Sequence, residues 1–411
     1  MIRTQSIYLI ALITAVCVMS DSMLYIVLPV YWPSFGLTNL WQVGVLLSIN
    51  RFVRLPLNPL AGWLHAKFGL RRCLLAAVCI SVATTLSYGL LRGFWLLAAA
   101  RCLWGIAWAV LRLGGYLAVL EASGPDNRGR LMGSYNGLWG LGGLVGMLAG
   151  GIGTDYWGVQ PAMLAIGALT LVGLLIAARY LPQAQGTGTA QSDMPPARER
   201  RRARPPWLNA QAVLTLLSGL VIASVFFGIL PSTLTGIIEE RPFQLSLFGV
   251  ALGAASLSGI LQGLRAGWSP FLSPWFGKLS DRPTGRKPWI CASLIASTLL
   301  FVLLSMPSVS AWLWFGCLLG ALLLNTAVTT WLDASAADCA SEAPSARVPM
   351  MTSYTLVFDL GSALGPAIGY MVIDSFGVFR LYRTSGLLLF LLAIVWAVAW
   401  RAQTAKRRLS P

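Results

Sequence analysis

Ionisable side chains are scarce in this sequence, and their scarcity excludes several classes of protein. Only 11% of the residues are charged, whereas 56% are hydrophobic, and the mean hydropathy is +0.71. Soluble domains typically carry about 25% charged residues, so this chain is not an ordinary soluble domain. Histidine occurs once, as His65, which excludes a metal or catalytic site built from several histidines.

Catalytic and metal-binding patterns are also missing. The seven cysteines stand in or beside apolar segments without C-x-x-C spacing, as expected of small packing residues rather than disulfides or metal ligands. No G-x-x-x-x-G-K-[ST] loop is present, which excludes ATP hydrolysis by a P-loop. A polytopic enzyme, such as a lipid-modifying transferase, would need a His–Asp pair, a metal cluster or an activated nucleophile, and we find none. We therefore predict a protein that is not an enzyme and holds neither a cofactor nor a metal.

Apolar segments of helical, membrane-spanning length are what the sequence has in abundance. Twelve of them can be traced, each near the roughly 20 residues that cross about 30 Å of hydrocarbon; the eighth extends over 246–276. One long stretch of low hydrophobicity, rich in Gly, Pro, Ser, Thr and then arginine, separates the sixth from the seventh. We predict an all-α integral membrane protein built as two six-helix pseudo-repeats: an N-terminal bundle 1–181, a cytoplasmic basic linker 182–207, a C-terminal bundle 208–400 and a cytoplasmic tail 401–411.

Basic residues are distributed unevenly along this map. The formal net charge of +16 would by itself suggest nucleic acid or anionic lipid as a partner. Most basic residues, however, fall at the termini and in alternate loops, whereas the opposite loops hold only Arg92, Arg241, Arg380 and Arg383. This asymmetry follows the positive-inside rule and predicts a multi-pass protein of the cell (inner) membrane with both termini in the cytoplasm. We expect no nucleic-acid partner; contact of the arginine-rich linker with anionic lipid stays an alternative.

The two halves of the chain share a repeated pattern. It runs over Pro125, Arg128, Met132, Ser134, Tyr135, Gly142, Gly146 and Gly150, and it returns at one constant offset as Pro344, Arg347, Met351, Ser353, Tyr354, Gly361, Gly365 and Gly369. Matches at a single offset indicate duplication, and parallel repeats of this kind are typical of transporters whose halves move about a central site.

Two loops repeat as well, after the second and the eighth apolar segments. Their pattern, G-x-L-x-D-R-x-G-R-(R/K), resembles the signature loop of the major facilitator superfamily, in which the aspartate is thought to latch the two halves together. The first loop departs from it, with Ala66 in the aspartate position, and the second contains one extra residue. The matching residues, for which the resemblance implies a conformational or gating role, are Gly62 and Gly69 in the first loop and Gly277, Asp281, Gly285 and Arg286 in the second.

Two further patterns strengthen this resemblance. Arg101 and Gly105 in the fourth helix match an R-x-x-x-G element that the superfamily links to proton transfer. The fifth helix carries a glycine ladder associated there with antiporters, although Met147 replaces the usual proline; the ladder and its copy in the eleventh helix comprise Gly142, Gly146, Gly150, Gly361, Gly365 and Pro366. Glycines four apart let another helix approach closely, so tight packing and a conformational hinge are both open interpretations.

Ionisable residues inside the predicted spans point to function. Each costs about 2.5–3.5 kcal/mol at the bilayer centre on translocon scales, so such residues usually face a cavity. Asp21 in helix 1 and Asp359 in helix 11 are carboxyls that can change protonation, which arginine cannot do. We predict Asp21 as a proton-coupling residue, with Arg101 beside it through the resemblance. Asp359 is a second candidate, with a helix cap or an ion pair as its structural alternative.

The remaining embedded polar residues form stripes on individual helices. Asn50 and Arg54 are one turn apart, and Arg51 adjoins them; Arg112 lies three turns from Arg101. Five embedded arginines against two embedded aspartates leave surplus positive charge that an anionic or zwitterionic substrate would balance. Alternatively, some of these arginines pair with carbonyls or carboxylates and serve only structure. The predicted substrate-binding residues are Asn50, Arg51, Arg54, Arg112, Gln262, Arg265 and Asn325.

These observations predict a secondary transporter, in which the lipid bilayer is the solvent and a small molecule and a proton are the partners. We favour proton-coupled efflux of a small anionic or amphipathic metabolite or drug by a functional monomer. Proton-coupled uptake of an anionic nutrient or of a siderophore-like metal chelate is the alternative. A transport-inactive membrane sensor is a more distant one, because Ala66 and Met147 both depart from the pattern of the superfamily.

Overall fold

The computed structural model describes residues 4–122, 128–181, 209–240, 246–247, 250–251, 253–280, 286–341 and 347–409. Within these ranges the chain forms twelve long helices: α1 Thr4–Tyr31, α2 Leu40–Phe68, α3 Leu70–Leu90, α4 Phe94–Ala122, α5 Arg128–Trp157, α6 Val159–Tyr180, α7 Ala210–Glu239, α8 Ala254–Ser280, α9 Lys287–Leu304, α10 Ala311–Ser341, α11 Arg347–Phe376 and α12 Val378–Leu409. The prediction of an all-α membrane protein with twelve spans is confirmed in its fold.

Ten of these helices are long and apolar enough to cross a membrane by length and composition alone. The two that fall outside this group are α2 and α8. They are also the helices that contain Arg51, Arg54, Gln262 and Arg265, and their polar stripes lower their mean hydropathy. Because both are at least 27 residues long, they still have the length to span about 30 Å of hydrocarbon.

Helix α7 is not uniform along its length. It begins as an α-helix over Ala210–Ile222, continues as a π-helix over Ala223–Ile229, and ends as an α-helix over Leu230–Glu239. Pro231 follows the π-helical part and has no backbone N–H to continue a regular i to i−4 ladder. Such wide turns inside long helices often occur at functional sites.

Two details of the sequence prediction are wrong. The eighth span was expected from position 246, but Ser246–Leu247 and Val250–Ala251 form a short antiparallel hairpin, β1 and β2, and α8 begins at Ala254. Apolar composition indicates burial and cannot by itself distinguish a short strand from a helix. His65 was expected in a loop, but α2 continues to Phe68, and Gly69, with φ of +79°, provides the turn into α3. His65 is buried, and its Nε2 lies 3.0 Å from the Val110 carbonyl oxygen.

The chain divides into two compact units. The first comprises Met1–Arg201 together with Leu234–Gly263, and the second comprises Arg202–Thr233 together with Leu264–Pro411. In the first unit α1 packs mainly against α5, α2 against α4, and α3 against α4 and α6. In the second, α9 packs against α12, and α11 packs against the π-helical part of α7. The bundle boundaries at 181 and 208 stay a prediction.

The glycine ladder of α5 faces α1 at very short range. A Cβ atom added to Gly142 would lie 2.1 Å from the Ala15 carbonyl oxygen, and one added to Gly146 would lie 2.3 Å from that of Met19. These contacts involve backbone atoms, which cannot move aside as a flexible side chain can. The ladder therefore sets the distance between α1 and α5, and it holds the segment of α1 that carries Asp21.

Replacing Gly146 by Val is expected to destabilise the protein, because a larger residue in a packed interface costs about 1–3 kcal/mol and more where backbone must shift. Thermal unfolding of the purified protein in detergent, followed by tryptophan fluorescence, measures the effect. Gly140→Val on the same helix is the matched control, since no atom lies within 4 Å of the Cβ position there. Equal unfolding temperatures for the two variants would show that the short distance between α1 and α5 does not contribute to stability.

An unpredicted carboxylate joins three helices in the first unit. Asp155, near the end of α5, accepts hydrogen bonds from the Ser256 backbone N–H at 2.9 Å and from the Ser256 hydroxyl at 2.6 Å. The Tyr31 hydroxyl at the end of α1 donates to it at 2.8 Å. Asp155 thus satisfies an otherwise unpaired donor in the first turn of α8. The approach is close enough that a Cβ on Gly253 would lie 2.3 Å from the carboxylate.

Candidate functional site

A buried ion pair lies between α1 and α4 in the first unit. The Arg101 guanidinium donates through Nη1 to Asp21 Oδ1 and through Nε to the Leu46 carbonyl oxygen at 2.7 Å. Asn50 of α2 also donates to Asp21 Oδ1, at 3.2 Å. The structure therefore brings both proton-coupling candidates of the first half together, and it places Asn50, predicted to bind substrate, against the same carboxylate.

Gly105 explains how α2 reaches this pair. It lies one turn after Arg101 on α4, and a Cβ atom there would be 2.6 Å from the Asn50 carbonyl oxygen. The absence of a side chain lets the α2 backbone approach α4 closely. Leu46 and Asn50 are one turn apart on α2, so the approach brings the Leu46 carbonyl to Arg101 and the Asn50 amide to Asp21. The R-x-x-x-G spacing is thus the spacing that assembles the cluster.

The two members of the pair differ in their access to solvent. The Arg101 side chain is 1% exposed, whereas that of Asp21 is 22% exposed. A buried charge without its partner is strongly unfavourable, so each member needs the other as long as both are charged. Arginine stays protonated in proteins, so Asp21 is the only member of the pair that can gain or lose a proton. Asp21 is also the partly exposed member of the pair.

Two of the predicted arginines, Arg51 of α2 and Arg112 of α4, lie against aromatic rings. The Arg51 guanidinium carbon is 5.2 Å from the ring centroid of Tyr25, which stands one turn after Asp21 on α1 and donates its hydroxyl to the Leu47 carbonyl at 2.9 Å. Arg112 donates through Nε to the Tyr116 hydroxyl at 3.3 Å. Arg54 is half-buried. Arg51 therefore adjoins the Asp21 cluster, whereas Arg112 is held further along α4.

The other predicted site residues are placed separately. Gln262 is buried and belongs to the first unit, whereas Arg265, Asn325 and Asp359 belong to the second. Arg265 lies over the Phe227 ring at 5.7 Å, and Asn325 donates to the Phe226 carbonyl at 3.3 Å, so both contact the π-helical part of α7. Asp359 is half-buried, and within the described residues its carboxylate has no ion pair like that of Asp21.

The predicted gating residues fall into packing positions and one ion pair. Gly361 and Gly365 repeat the close approach seen in the first half, with Cβ positions 2.3 Å and 2.4 Å from the carbonyl oxygens of Leu220 and Ser224, and Pro366 lies inside α11. Arg286 pairs with Asp338 and donates to the Ala334 carbonyl at 2.6 Å. Asp281 and Gly285 lie outside the described residues. Added Cβ atoms at Gly62 and Gly277 would meet little, with Leu113 at 3.9 Å from the first and no atom within 4 Å of the second.

Three residues of evident importance were not predicted from the sequence. Tyr88 lies buried beside the ion pair, Asp155 caps α8, and Asp338 pairs with Arg286. Asp155 and Asp338 stand near the ends of apolar segments, where a charge is unremarkable. Tyr88 stands in an apolar segment of α3, and no spacing along the chain relates it to Arg101. Only tertiary contacts reveal all three.

Comparison with known proteins adds an independent line of evidence. A model described as Major Facilitator Superfamily matches residues 10–347. The Multidrug resistance protein MdtG of Citrobacter koseri is 26% identical over 383 residues, which cover 90% of this chain and 88% of the relative. The protein of the same name from Klebsiella pneumoniae is 26% identical over 375 residues, covering 88% and 86%.

Solved structures resemble the whole chain in fold. A bacterial homolog to the human lysosomal transporter Spinster, in an inward-facing and unoccupied conformation, superposes with a TM-score of 0.72 at 16% identity, covering 97% of each chain. A peptide transporter named POT, in complex with sulfate, gives a TM-score of 0.75 at 14% identity, covering 97% of this chain and 94% of the other. At these identities the likeness concerns the fold alone.

Proposed function

Because this chain belongs to the Major Facilitator Superfamily and is a multi-pass membrane transporter, we propose that it exports small anionic or amphipathic compounds in exchange for protons. The observation that carries the proposal is the ion pair between Asp21 and Arg101, which is buried within a bundle of membrane-spanning helices. Ionisable pairs in such positions are costly and characteristically belong to proton relays and ion pathways.

In the proposed mechanism Asp21 alternates between two states. As a carboxylate it holds Arg101 and accepts from Asn50. A proton on Asp21 neutralises the anion and weakens both contacts, which frees α2 and α4 to change their packing against α1. Proton binding and substrate binding are thereby linked through one cluster, because each biases the same contacts between these helices.

Export is the favoured direction for two reasons. The relatives at 25–26% identity carry the name of multidrug resistance proteins, and the glycine ladder of α5 resembles that of antiporters. Uptake of an anionic nutrient or a metal chelate is the second candidate. Arg51, Arg112 and Arg265 each lie against an aromatic ring, and an anion could join any of these positions by charge-assisted hydrogen bonds. The orientation of the termini stays a prediction.

Inverted membrane vesicles test the direction. Respiration acidifies their lumen, and a pH-sensitive dye reports the gradient. Addition of compounds from an anionic and amphipathic panel is expected to release protons from the lumen while the compound accumulates inside. The panel is chosen by comparing medium and cytosol of cells with and without the gene. Compounds that are depleted from the lumen under the same gradient would favour uptake over export.

Arg54 tests whether the substrate is anionic. If its guanidinium binds the anion through two hydrogen bonds, Arg54→Lys is expected to weaken binding and Arg54→Gln to weaken it more. Loss of a charge-assisted bond costs about 1.5–3 kcal/mol, or roughly ten- to hundredfold in dissociation constant. Binding of a transported anion to the purified protein measures this effect. Arg92→Gln, at an exposed position, is the control for the lost charge. Normal affinity in Arg54→Gln would assign Arg54 a structural role.

A further inference from the structure

A second polar side chain lies close to the Arg101 guanidinium without an aligned hydrogen bond to it. Tyr88 of α3 is 1% exposed, and it lines a small cavity together with Arg101 and apolar side chains that include Leu24, Leu46 and Leu97. Among the described residues, neither the Tyr88 hydroxyl nor Nη2 of Arg101 has a hydrogen-bond partner. Two side chains that each hold a buried polar atom without a hydrogen-bond partner therefore line the same small cavity.

Protonation of Asp21 leaves the Arg101 guanidinium without an anionic partner, and the Tyr88 hydroxyl oxygen can accept a hydrogen bond from it. Once Asp21 carries a proton, Arg101 keeps its charge but loses its anion, and its remaining acceptors, the Leu46 carbonyl and the neutral Asp21 carboxyl, are both uncharged. A buried guanidinium with only neutral acceptors is strongly unfavourable. The Tyr88 hydroxyl oxygen is an acceptor with no other partner. The Asn50 side-chain oxygen is also unpaired, but Asn50 is already engaged with Asp21 through its amide nitrogen.

We propose that Tyr88 is a positioning residue for proton coupling, and that its hydroxyl receives the Arg101 guanidinium when Asp21 is protonated. The inference rests on the proposed role of Asp21 as the proton site. The proton adds to an Asp21 carboxylate oxygen, the contact from Arg101 Nη1 weakens, and a hydrogen bond from Nη2 to the Tyr88 oxygen forms. Tyr88 thereby stabilises the protonated state more than the state in which Asp21 is charged.

Few other titratable or charged side chains of the described residues lie close to Asp21, Arg101 and Tyr88. Among the described residues, Tyr25 on α1 and Cys102 on α4 are titratable groups that lie close to the pair, and Arg51 on α2 lies over the Tyr25 ring. Helix α5 contributes no carboxylate here, because its Gly146 and Gly150 face Met19 and Met23, whereas its Asp155 is bonded to Tyr31. Helix α6 contains neither Asp nor Glu. Of the carboxyl groups on the described helices α1 to α6, Asp21 is the one that contacts Arg101.

Infrared titration of the purified protein tests the inference without a known substrate. The carbonyl band of protonated Asp21 is identified as the band lost in Asp21→Asn. Tyr88→Phe keeps the ring but removes the hydroxyl oxygen that would accept from Arg101 when Asp21 is protonated. The midpoint at which the band appears is therefore expected to move to lower pH, on the order of one pH unit for a lost bond to a charged group. Tyr370→Phe, which removes another buried hydroxyl in the second unit, should leave the midpoint unchanged.

The possible results of this titration test the role of Asp21 and the role of Tyr88 separately. If the carbonyl band of protonated Asp21 is absent from the wild-type protein at every pH, or is still present in Asp21→Asn, then Asp21 is not the proton site. The inference about Tyr88 then fails as well. A band that titrates in the wild type with an unchanged midpoint in Tyr88→Phe overturns the role of Tyr88 alone. Should Tyr88→Phe fail to fold, 3-fluorotyrosine in place of Tyr88 keeps the shape and weakens the oxygen as an acceptor. A smaller shift in the same direction is then expected, and an unchanged midpoint again rejects the inference.

Discussion

Asp21→Asn is expected to abolish proton-driven accumulation in inverted vesicles, down to the level of vesicles that lack the protein. Asparagine keeps the size of the side chain and can still hydrogen-bond, but it cannot bind and release a proton. Arg101 and Asn50 then contact a group of constant charge, so the pH gradient no longer changes the cluster. Exchange of labelled for unlabelled compound down a gradient needs no proton and should partly survive.

The same chemical change at an exposed position provides the control. Asp374→Asn, near the end of α11, replaces an exposed carboxyl and is expected to leave accumulation intact. Both variants are compared at equal amounts in the membrane. Undiminished accumulation in Asp21→Asn would remove this carboxyl from the coupling mechanism, whereas loss of exchange as well as accumulation would indicate a defect in substrate binding instead.

Arg101→Met is expected to abolish transport and also to destabilise the fold. It leaves the Asp21 carboxylate without its cation and the Leu46 carbonyl without its donor. Breaking a buried pair by removing one partner typically costs about 3–5 kcal/mol, mostly because the other charge stays buried. Since Asp21 is 22% exposed, we expect the lower end of this range, measured as a reduced unfolding temperature in detergent.

The double variant Asp21→Asn, Arg101→Met distinguishes the sources of that loss. It carries no uncompensated charge, so it should recover much of the unfolding temperature that Arg101→Met loses. Transport should stay absent, because the proton site is gone. If the double variant recovers neither the unfolding temperature nor transport, Arg101 stabilises the bundle through its hydrogen bond to the Leu46 carbonyl and through its packing. Recovery of transport would contradict the proposed role of the pair.

The architecture was predictable because lipid imposes a simple rule on sequence. A helix satisfies its backbone polar groups internally, and the length of each apolar segment therefore reports a span. The length of an apolar segment does not, however, show at which residue a helix begins or ends. The hairpin formed by Ser246–Leu247 and Val250–Ala251 is as apolar as the helix that follows it, and α2 continues past His65 because neither Gly nor Pro lies between His65 and Gly69.

The pair that we propose for proton coupling was partly predictable for the same reason. An aspartate and an arginine in apolar segments are costly, so their presence indicated function before their contact was known. Their partner Asn50 was expected at the substrate, since a stripe on one helix does not reveal which helix faces it. Tyr88 and Asp155 depend entirely on tertiary packing. The glycine ladder indicated a close approach, but only the structure identified the α1 backbone at Ala15 and Met19 as the neighbour.

Proton movement by the purified transporter in liposomes tests proton-coupled export most directly. The liposomes enclose a pH-sensitive dye, and a compound identified in the vesicle experiment is supplied on one side only, without an imposed pH gradient. If protons exchange for the compound through Asp21, its movement down its gradient will drive protons the opposite way in wild-type protein and none in Asp21→Asn. Movement of the compound by wild-type protein with no accompanying change in luminal pH would contradict proton coupling.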